Sequence, residues 1–354
     1  MSLFSSNCPA SLFDAQKLRR WFFLNRRFLP WRESSSPYEV WVSEVMLQQT
    51  QVTVVIPYFN RWMRLFPTIS ALAAAPIEAV IKAWEGLGYY ARARHLKEGA
   101  IYLTRHFGGE LPDSYEALEK VKGLGPYTIG AILSFAFKKK AAAVDGNVLR
   151  VLSRFFSISK PIDQQKTQKE IRDLCLTLLP EVEPWVVMEA LIELGALVCQ
   201  KKAHCDACPL SERCLGKSQA HLLPIRKARQ KSIELHRDVA IIYAQDEILL
   251  RKGEPGGVMA DLWEFPYFEK GLPVEKALNM VSLVLKGTLR EFHHQFTKYK
   301  AFLYPSIYQG TKVSVSGYHW IPFNRVHALP FSSGHRQIVY ALQDRMIPHW
   351  RPFV

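Results

Sequence analysis

The chain has 354 residues, 48% of them hydrophobic, and a formal net charge of +14 at pH 7. That length allows two ordinary domains with separate cores, and that apolar content leaves little room for extended disorder. No run reaches about 18 uncharged apolar residues, and the opening MSLFSSNCPASLFD has no basic segment followed by a long apolar one. The expectation is therefore a cytoplasmic protein without membrane association. The excess of Lys and Arg is +7 in residues 1–222 and +7 again in residues 223–354. A basic balance in both parts favours a polyanionic partner.

Up to about residue 217 the apolar residues recur with helical period and stop at Pro or Gly. Helices are predicted over 12–29, 40–66, 77–87, 92–106, 115–121, 127–137, 146–156 and 185–198. Within the second, WVSEVMLQQT sets Glu44 mid-helix between apolar neighbours, with Gln48 four residues on along the same face. Desolvation there raises a carboxyl pKa, as a general acid at neutral pH requires.

In DSYEALEKVKGLGPYTIGAILSFAF, Asp113 and Glu116 form a capping box, Gly123 and Gly125 break the short helix, and Pro126 suits the first turn of the next. Two helices joined by such a turn bare backbone N–H groups at a helix start, a site for a phosphate. Asp145, in AAAVDGNVLR, ends an apolar run and opens a helix as its N-cap, where amide hydrogen bonds and the helix dipole favour the ionised form.

The stretch CQKKAHCDACPLSERC gathers four of the six cysteines within sixteen positions. Cys199, Cys205, Cys208 and Cys214 stand close enough to share one soft metal centre, either zinc or an iron-sulfur cluster. In a reducing compartment Cys8 and Cys175 are plain thiols. A Pro-containing basic stretch at 218–231 reads as a linker between a first domain at 1–217 and a second at 232–354. In the second the pattern changes to period two and β-branched runs: VAIIYA, a turn at Gln245-Asp246-Glu247, ILLRK, then REFHHQFTKYKAFLY and VSVSGYHWI. This is an α+β domain.

SEVMLQQTQV, LGYYARAR, GLGPYTIGA, VDGNV and the four cysteines occur in this order. Together they resemble the helix-hairpin-helix base-excision DNA glycosylases, and within them the A/G-specific adenine DNA glycosylases. Residues 232–354 resemble the Nudix-like domain of that family through GGVMADLWEFPYF and REFHHQFTKYK. The implied fold is an all-α helix-hairpin-helix glycosylase domain with an iron-sulfur loop, followed by an α+β Nudix-like domain. The stretch EKALNMVSLVLKG lacks the glutamate cluster with which a working Nudix hydrolase holds magnesium, so base reading is expected in place of pyrophosphate hydrolysis.

The resemblance implies one [4Fe-4S] cluster on the four cysteines, although the first interval is x5 where the family usually has x6. Lys201, Lys202 and His204 in that interval still supply donors for phosphate. It also implies a protein that acts as a monomer on duplex DNA containing adenine opposite 8-oxoguanine or guanine. Glu44 falls at the catalytic acid and Asp145 at the carboxylate that steadies the sugar cation, with Tyr127 and Asn147 shaping the pocket.

Related glycosylases that also cut the strand carry lysine where Tyr127 stands, and tyrosine cannot form a Schiff base. Gln49 and Tyr89 match residues that fill the vacated base stack, and Thr50 lies in the same motif as Gln49. Gly123 and Gly125 meet the phosphate, while Arg27, Leu47 and Glu189 match the adenine pocket. Family members read the damaged base with a Phe-Ser-His loop. Here Phe296, Thr297 and Lys298 stand in its place, with His294 just upstream. Two other readings are a strand-cleaving glycosylase acting on damaged pyrimidines and a non-catalytic iron-sulfur DNA-binding protein.

Overall fold

The computed structural model describes residues 9–34, 36–227, 232–254, 256–296 and 298–343. Its first part is helical: α1 (Ala15–Asn25), α2 (Pro30–Glu33), α3 (Pro37–Leu47), α4 (Val52–Leu65), α5 (Ile69–Ala74), α6 (Ile77–Trp84), α7 (Ala91–Phe107), α8 (Tyr115–Leu118), α9 (Pro126–Ala131), α10 (Gly146–Phe155), α11 (Gln165–Leu178) and α12 (Pro184–Leu197). Pro occupies the first turn of α2, α3, α9 and α12, where its missing N–H leaves no bond unmade. The strands are β1 (Ile233–Ala244), β2 (Glu247–Lys252), β3 (Trp263–Glu264), β4 (Tyr267–Glu269), β5 (Val284–Thr288), β6 (Phe292–Phe296), β7 (Tyr299–Gln309) and β8 (His319–Pro322). Helices α13 (Val274–Leu278), α14 (Phe323–Val326) and α15 (Ser333–Gln343) lie among and after them.

The chain divides into two compact units, one of residues 1–74 and 98–228, the other of 75–97 and 229–354. In the first, α1, α10, α11 and α12 share a core of Leu18, Phe22, Val148, Leu152, Ile171, Leu174, Leu191 and Leu194. Several expected helices differ. The segment 12–29 starts later, capped by Asp14, whose side chain accepts from the Lys17 amide at 2.8 Å, and α1 ends at Asn25. The segment 40–66 is two helices, because the chain breaks at Gln48–Gln51 with Gln49 at φ 59°. Ser114, not Asp113, caps α8 by accepting from the Ala117 amide at 3.3 Å, while Asp113 lies one residue outside and pairs with Lys139 at 2.6 Å. Helix α9 runs on as a π-helical turn, Ile132–Ala136.

In the second unit the sheet order is β3-β2-β1-β7-β5, with β4 on β1, β6 on β7 and β8 on β2. Strands β1 and β7 run parallel in register from Ile233↔Tyr299 to Tyr243↔Gln309. The turn at Gln245-Asp246 joins β1 to β2, with Ala244 paired to Glu247. Of VSVSGYHWI only the end is strand, beginning at His319. One face of the sheet packs Val239, Ile241, Leu250, Phe292 and Leu303 against Ile338 and Val339 of α15. The other packs Ala240, Ile242 and Leu249 against Val274 and Leu278 of α13. The stretch compared with the Nudix catalytic helix forms the five-residue α13 and then β5. No helix of the described residues is long and apolar enough to cross a membrane.

Candidate active site

Helix α3 is apolar almost all round, so it is buried along its length and takes Glu44 with it, 6% exposed. The Tyr127 hydroxyl, from α9, donates to Glu44 Oε2. Burial pushes the Glu44 carboxyl up to about 7 from its ordinary 4.5. The Tyr127 bond opposes this, the charges of Asp145 and Glu189 add to it, and Arg32 works against it. Burial beside Glu44 and Asp145 also holds the Tyr127 phenol well above its ordinary range, so it remains a donor.

Asp145 caps α10. One oxygen accepts from the Asn147 and Val148 amides at 2.9 and 2.8 Å, the other from Asn147 Nδ2 at 2.7 Å. The expectation that these donors set its charge needs amending. Burial outweighs the donors of α10 and Arg150, so the Asp145 carboxyl stands above its ordinary value. Arg150 donates to Asn147 Oδ1 at 2.8 Å, to Gly195 O at 2.7 Å and to Cys199 O at 2.7 Å, joining the start of α10 to the cysteine loop. Gly195 makes the fit possible, since a Cβ there would stand 2.6 Å from that of Asn147.

Glu44, Tyr127, Asp145 and Asn147 line one open cavity of about 1060 Å³ in the first unit, and Arg27, Leu47, Gln49, Thr50 and Glu189 line it too. An ion network ties Arg27 and Arg32 to Glu189 and Glu193, two groups of residues far apart in sequence. Glu193 is fully buried and accepts from Arg27 Nε at 2.7 Å and Nη2 at 3.1 Å, and from Arg32 at 3.0 Å. Arg32 also reaches Glu189 at 3.0 Å. Burial lifts the Glu193 carboxyl, but the Arg27 and Arg32 bonds outweigh it and hold it below its ordinary value; burial raises Glu189. Arg32, Glu193 and Arg150 were missed in the sequence because no local spacing marks such contacts.

Gly123, at φ 87°, and Gly125, the N-cap of α9, form the hairpin turn between α8 and α9. Tyr89 lies in the second unit, 47% exposed at φ 48°. His294 and Phe296 stand on β6 with ring centroids 5.0 Å apart, and burial lowers the His294 pKa. Lys298 is exposed at the turn into β7, its ammonium 5.4 Å from the Tyr299 ring; Thr297 lies outside the described residues.

Cys199, Cys205, Cys208 and Cys214 line a single small cavity with Arg154 and His204. Arg154 Nη1 is 3.3 Å from Cys199 Sγ, and Lys201, Lys202 and His204 are exposed beside it. Among the described residues no group of three or more His, Cys, Asp or Glu is gathered as a single ion requires. Four thiols lining one cavity suit a soft metal centre, zinc or an iron-sulfur cluster.

Residues 42–176 match the model of the HhH-GPD superfamily base excision DNA repair proteins, and residues 238–341 that of the NUDIX domain. The chain is 31% identical over 336 residues to an adenine DNA glycosylase of Buchnera aphidicola subsp. Baizongia pistaciae, covering 93% of this chain and 91% of that protein. It is 34% identical over 346 residues to an adenine DNA glycosylase of Arabidopsis thaliana, covering 84% of this chain and 54% of that one, so it spans about half the plant protein. Among solved structures, a thermostable thymine-DNA glycosylase superposes at TM-score 0.54 and 27% identity over 58% of this chain and 95% of its own. With both family models matched in order and a relative 31% identical over nine tenths of both chains, the chain belongs to the adenine DNA glycosylase family.

Proposed function

We propose that this chain is a monofunctional DNA glycosylase that flips adenine mispaired with 8-oxoguanine or guanine out of duplex DNA and removes it by hydrolysis. The observation that carries the reading is the buried Glu44, poised near neutral pKa in one cavity with Asp145, with a tyrosine bonded to it where a strand-cleaving relative has lysine.

Glu44 in its protonated form donates to N7 of the flipped adenine. The C1′–N9 bond breaks with its electron pair on the base, and the Asp145 carboxylate faces the oxocarbenium ion that remains. Glu44, now ionised, takes a proton from the water that bonds to C1′. Tyr127 fixes the Glu44 oxygen it bonds, and Asn147 fixes Asp145. Arg27, Leu47 and Glu189 contact the base, held from behind by Arg32 and Glu193. Lys138 lines the same cavity, but its ammonium donates to Phe135 O at 2.6 Å.

Gln49, Thr50 and Tyr89 meet the opened stack, and the Gly123–Gly125 turn meets a phosphate. His294, Phe296, Thr297 and Lys298 read the base opposite the adenine. The four cysteines would hold one [4Fe-4S] cluster, whose role is to cross-link the loop that presents Lys201, Lys202 and His204. Iron at about four atoms per chain in anaerobically purified protein supports this, and stoichiometric zinc contradicts it.

A duplex with 8-oxoguanine opposite adenine tests the function. An abasic product that nicks only after alkali is expected. Direct nicking means a lyase, and an intact strand means a non-catalytic DNA-binding protein.

A further inference from the structure

The second unit holds Tyr89 and the β6–β7 hairpin together, and a polar cluster ties the Tyr89 turn to a segment that packs against the hairpin. Tyr89 lies on a turn after α6 in which Gly86, Gly88 and Tyr89 all have positive φ. The turn is tied from within. Trp84 Nε1 donates to Gly88 O at 3.0 Å, and the buried Arg92 donates to Leu87 O and Gly88 O at 3.0 Å each. It is also tied from without at Glu85, its first residue.

The Glu85 carboxylate accepts from Arg336 Nε at 2.7 Å, from the Phe331 amide at 2.9 Å and from Lys82 at 2.7 Å. Lys82 itself donates to His327 O and Leu329 O at 2.8 and 3.1 Å, and the Tyr90 hydroxyl donates to Phe331 O at 3.2 Å. Glu85 and Arg336 side chains are only 15% and 8% exposed, so this is a desolvated ion pair with fixed geometry. The same segment, 331–336, reaches the reading hairpin on its other side. A Cβ on Gly334 would stand 3.0 Å from the Cβ of His294 on β6.

We propose that Glu85 and Arg336 are positioning residues for recognition of the base opposite the adenine. They fix the Tyr89 turn and the His294–Lys298 hairpin to one anchor, the start of α15, so that wedge and reader keep a set separation at that base. A merely structural pair would affect folding alone. A positioning pair sets how strongly the enzyme distinguishes 8-oxoguanine from guanine, because a wedge free to shift fits both opposing bases alike. The inference rests on the proposed roles of Tyr89 and the hairpin.

The test compares wild type, Glu85→Gln, Tyr89→Ala and the double variant. For each, kcat/KM for adenine opposite 8-oxoguanine and opposite guanine, single-turnover excision at saturating enzyme, and the thermal midpoint are measured. Glu85→Gln is expected to narrow the preference for 8-oxoguanine by about tenfold, equivalent to about 1.4 kcal/mol. Saturated excision from the 8-oxoguanine duplex stays within about twofold. In the Tyr89→Ala background, Glu85→Gln should add nothing further.

If Glu85→Gln lowers the midpoint but leaves the preference unchanged, or if the two changes add in full, the pair is structural and the proposal fails. If Tyr89→Ala itself leaves the preference unchanged, the wedge reading fails and takes the proposal with it. Should Glu85→Gln not fold, Arg336→Lys replaces it under the same criteria, since lysine keeps the charge but loses the forked geometry.

Discussion

Replacing Glu44 by glutamine should remove activity and abolish the fall in stability that the wild-type protein shows between about pH 4.5 and 7. Burial raises the folded carboxyl from 4.5 to about 7. Between those values the unfolded chain ionises Glu44 while the folded chain keeps it neutral, so the folded state binds the extra proton and stability falls as pH rises. At 1.36 kcal/mol per pH unit the loss accumulates to about 3 kcal/mol by pH 7 and is constant above it. Below about pH 4.5 the two states agree and nothing is lost. Glutamine has no proton to lose, and its amide oxygen can still accept from Tyr127. Its buried NH₂ group costs a pH-independent amount of about 1–3 kcal/mol, so the readout is the pH dependence of the difference. Urea unfolding of both proteins from pH 4.5 to 8.5 reads it out. The stability of the variant minus that of wild type should rise by about 3 kcal/mol over the range, levelling near pH 7. A difference that stays flat across the range would mean that the Glu44 carboxyl titrates normally and that its burial does not poise it as an acid.

Asp145→Asn should slow excision by at least about a hundredfold with duplex binding retained, because a charge facing the sugar cation is lost and an NH₂ group meets Asn147 Nδ2. Full activity would leave Asp145 as a helix cap only. Tyr127→Lys should yield some covalent protein–DNA adduct on borohydride trapping, since it sets an amine in a desolvated pocket. An absent adduct while excision still runs would show that residue 127 does not face C1′. Gly195→Ala should cost about 1–3 kcal/mol of stability and slow excision, because the added methyl drives into Asn147, the partner of Asp145. Unchanged unfolding and turnover would show that α10 yields there at no cost.

The burial of Glu44 was legible because most of its neighbours on α3, Trp41, Val42, Val45, Met46 and Leu47, are apolar, as a buried helix requires. Asp145 was legible as a cap because a carboxylate followed by Gly-Asn ends an apolar run. The break at Gln48–Gln51 was not, since its sequence Gln-Gln-Thr-Gln contains no Gly or Pro to mark the positive φ at Gln49. The Arg27–Glu193–Arg32 network was hidden for a different reason. Its partners meet across the α1–α2 loop, α2 and α12, and no local pattern encodes that pairing. The anchoring of residues 75–97 with the C-terminal sheet was equally silent, because Glu85 and Arg336 lie 251 positions apart.

The central claim is that Glu44 delivers the proton that lets adenine leave a monofunctional site. Single-turnover excision from an 8-oxoguanine–adenine duplex, followed from pH 5 to 9 and split into samples with and without alkali, tests it most directly. The Glu44 carboxyl stands at about 7, so the rate should hold below that pH and fall tenfold per unit above it, with strand breaks only after alkali. A rate that is level to pH 9, or breaks that appear without alkali, would contradict the account.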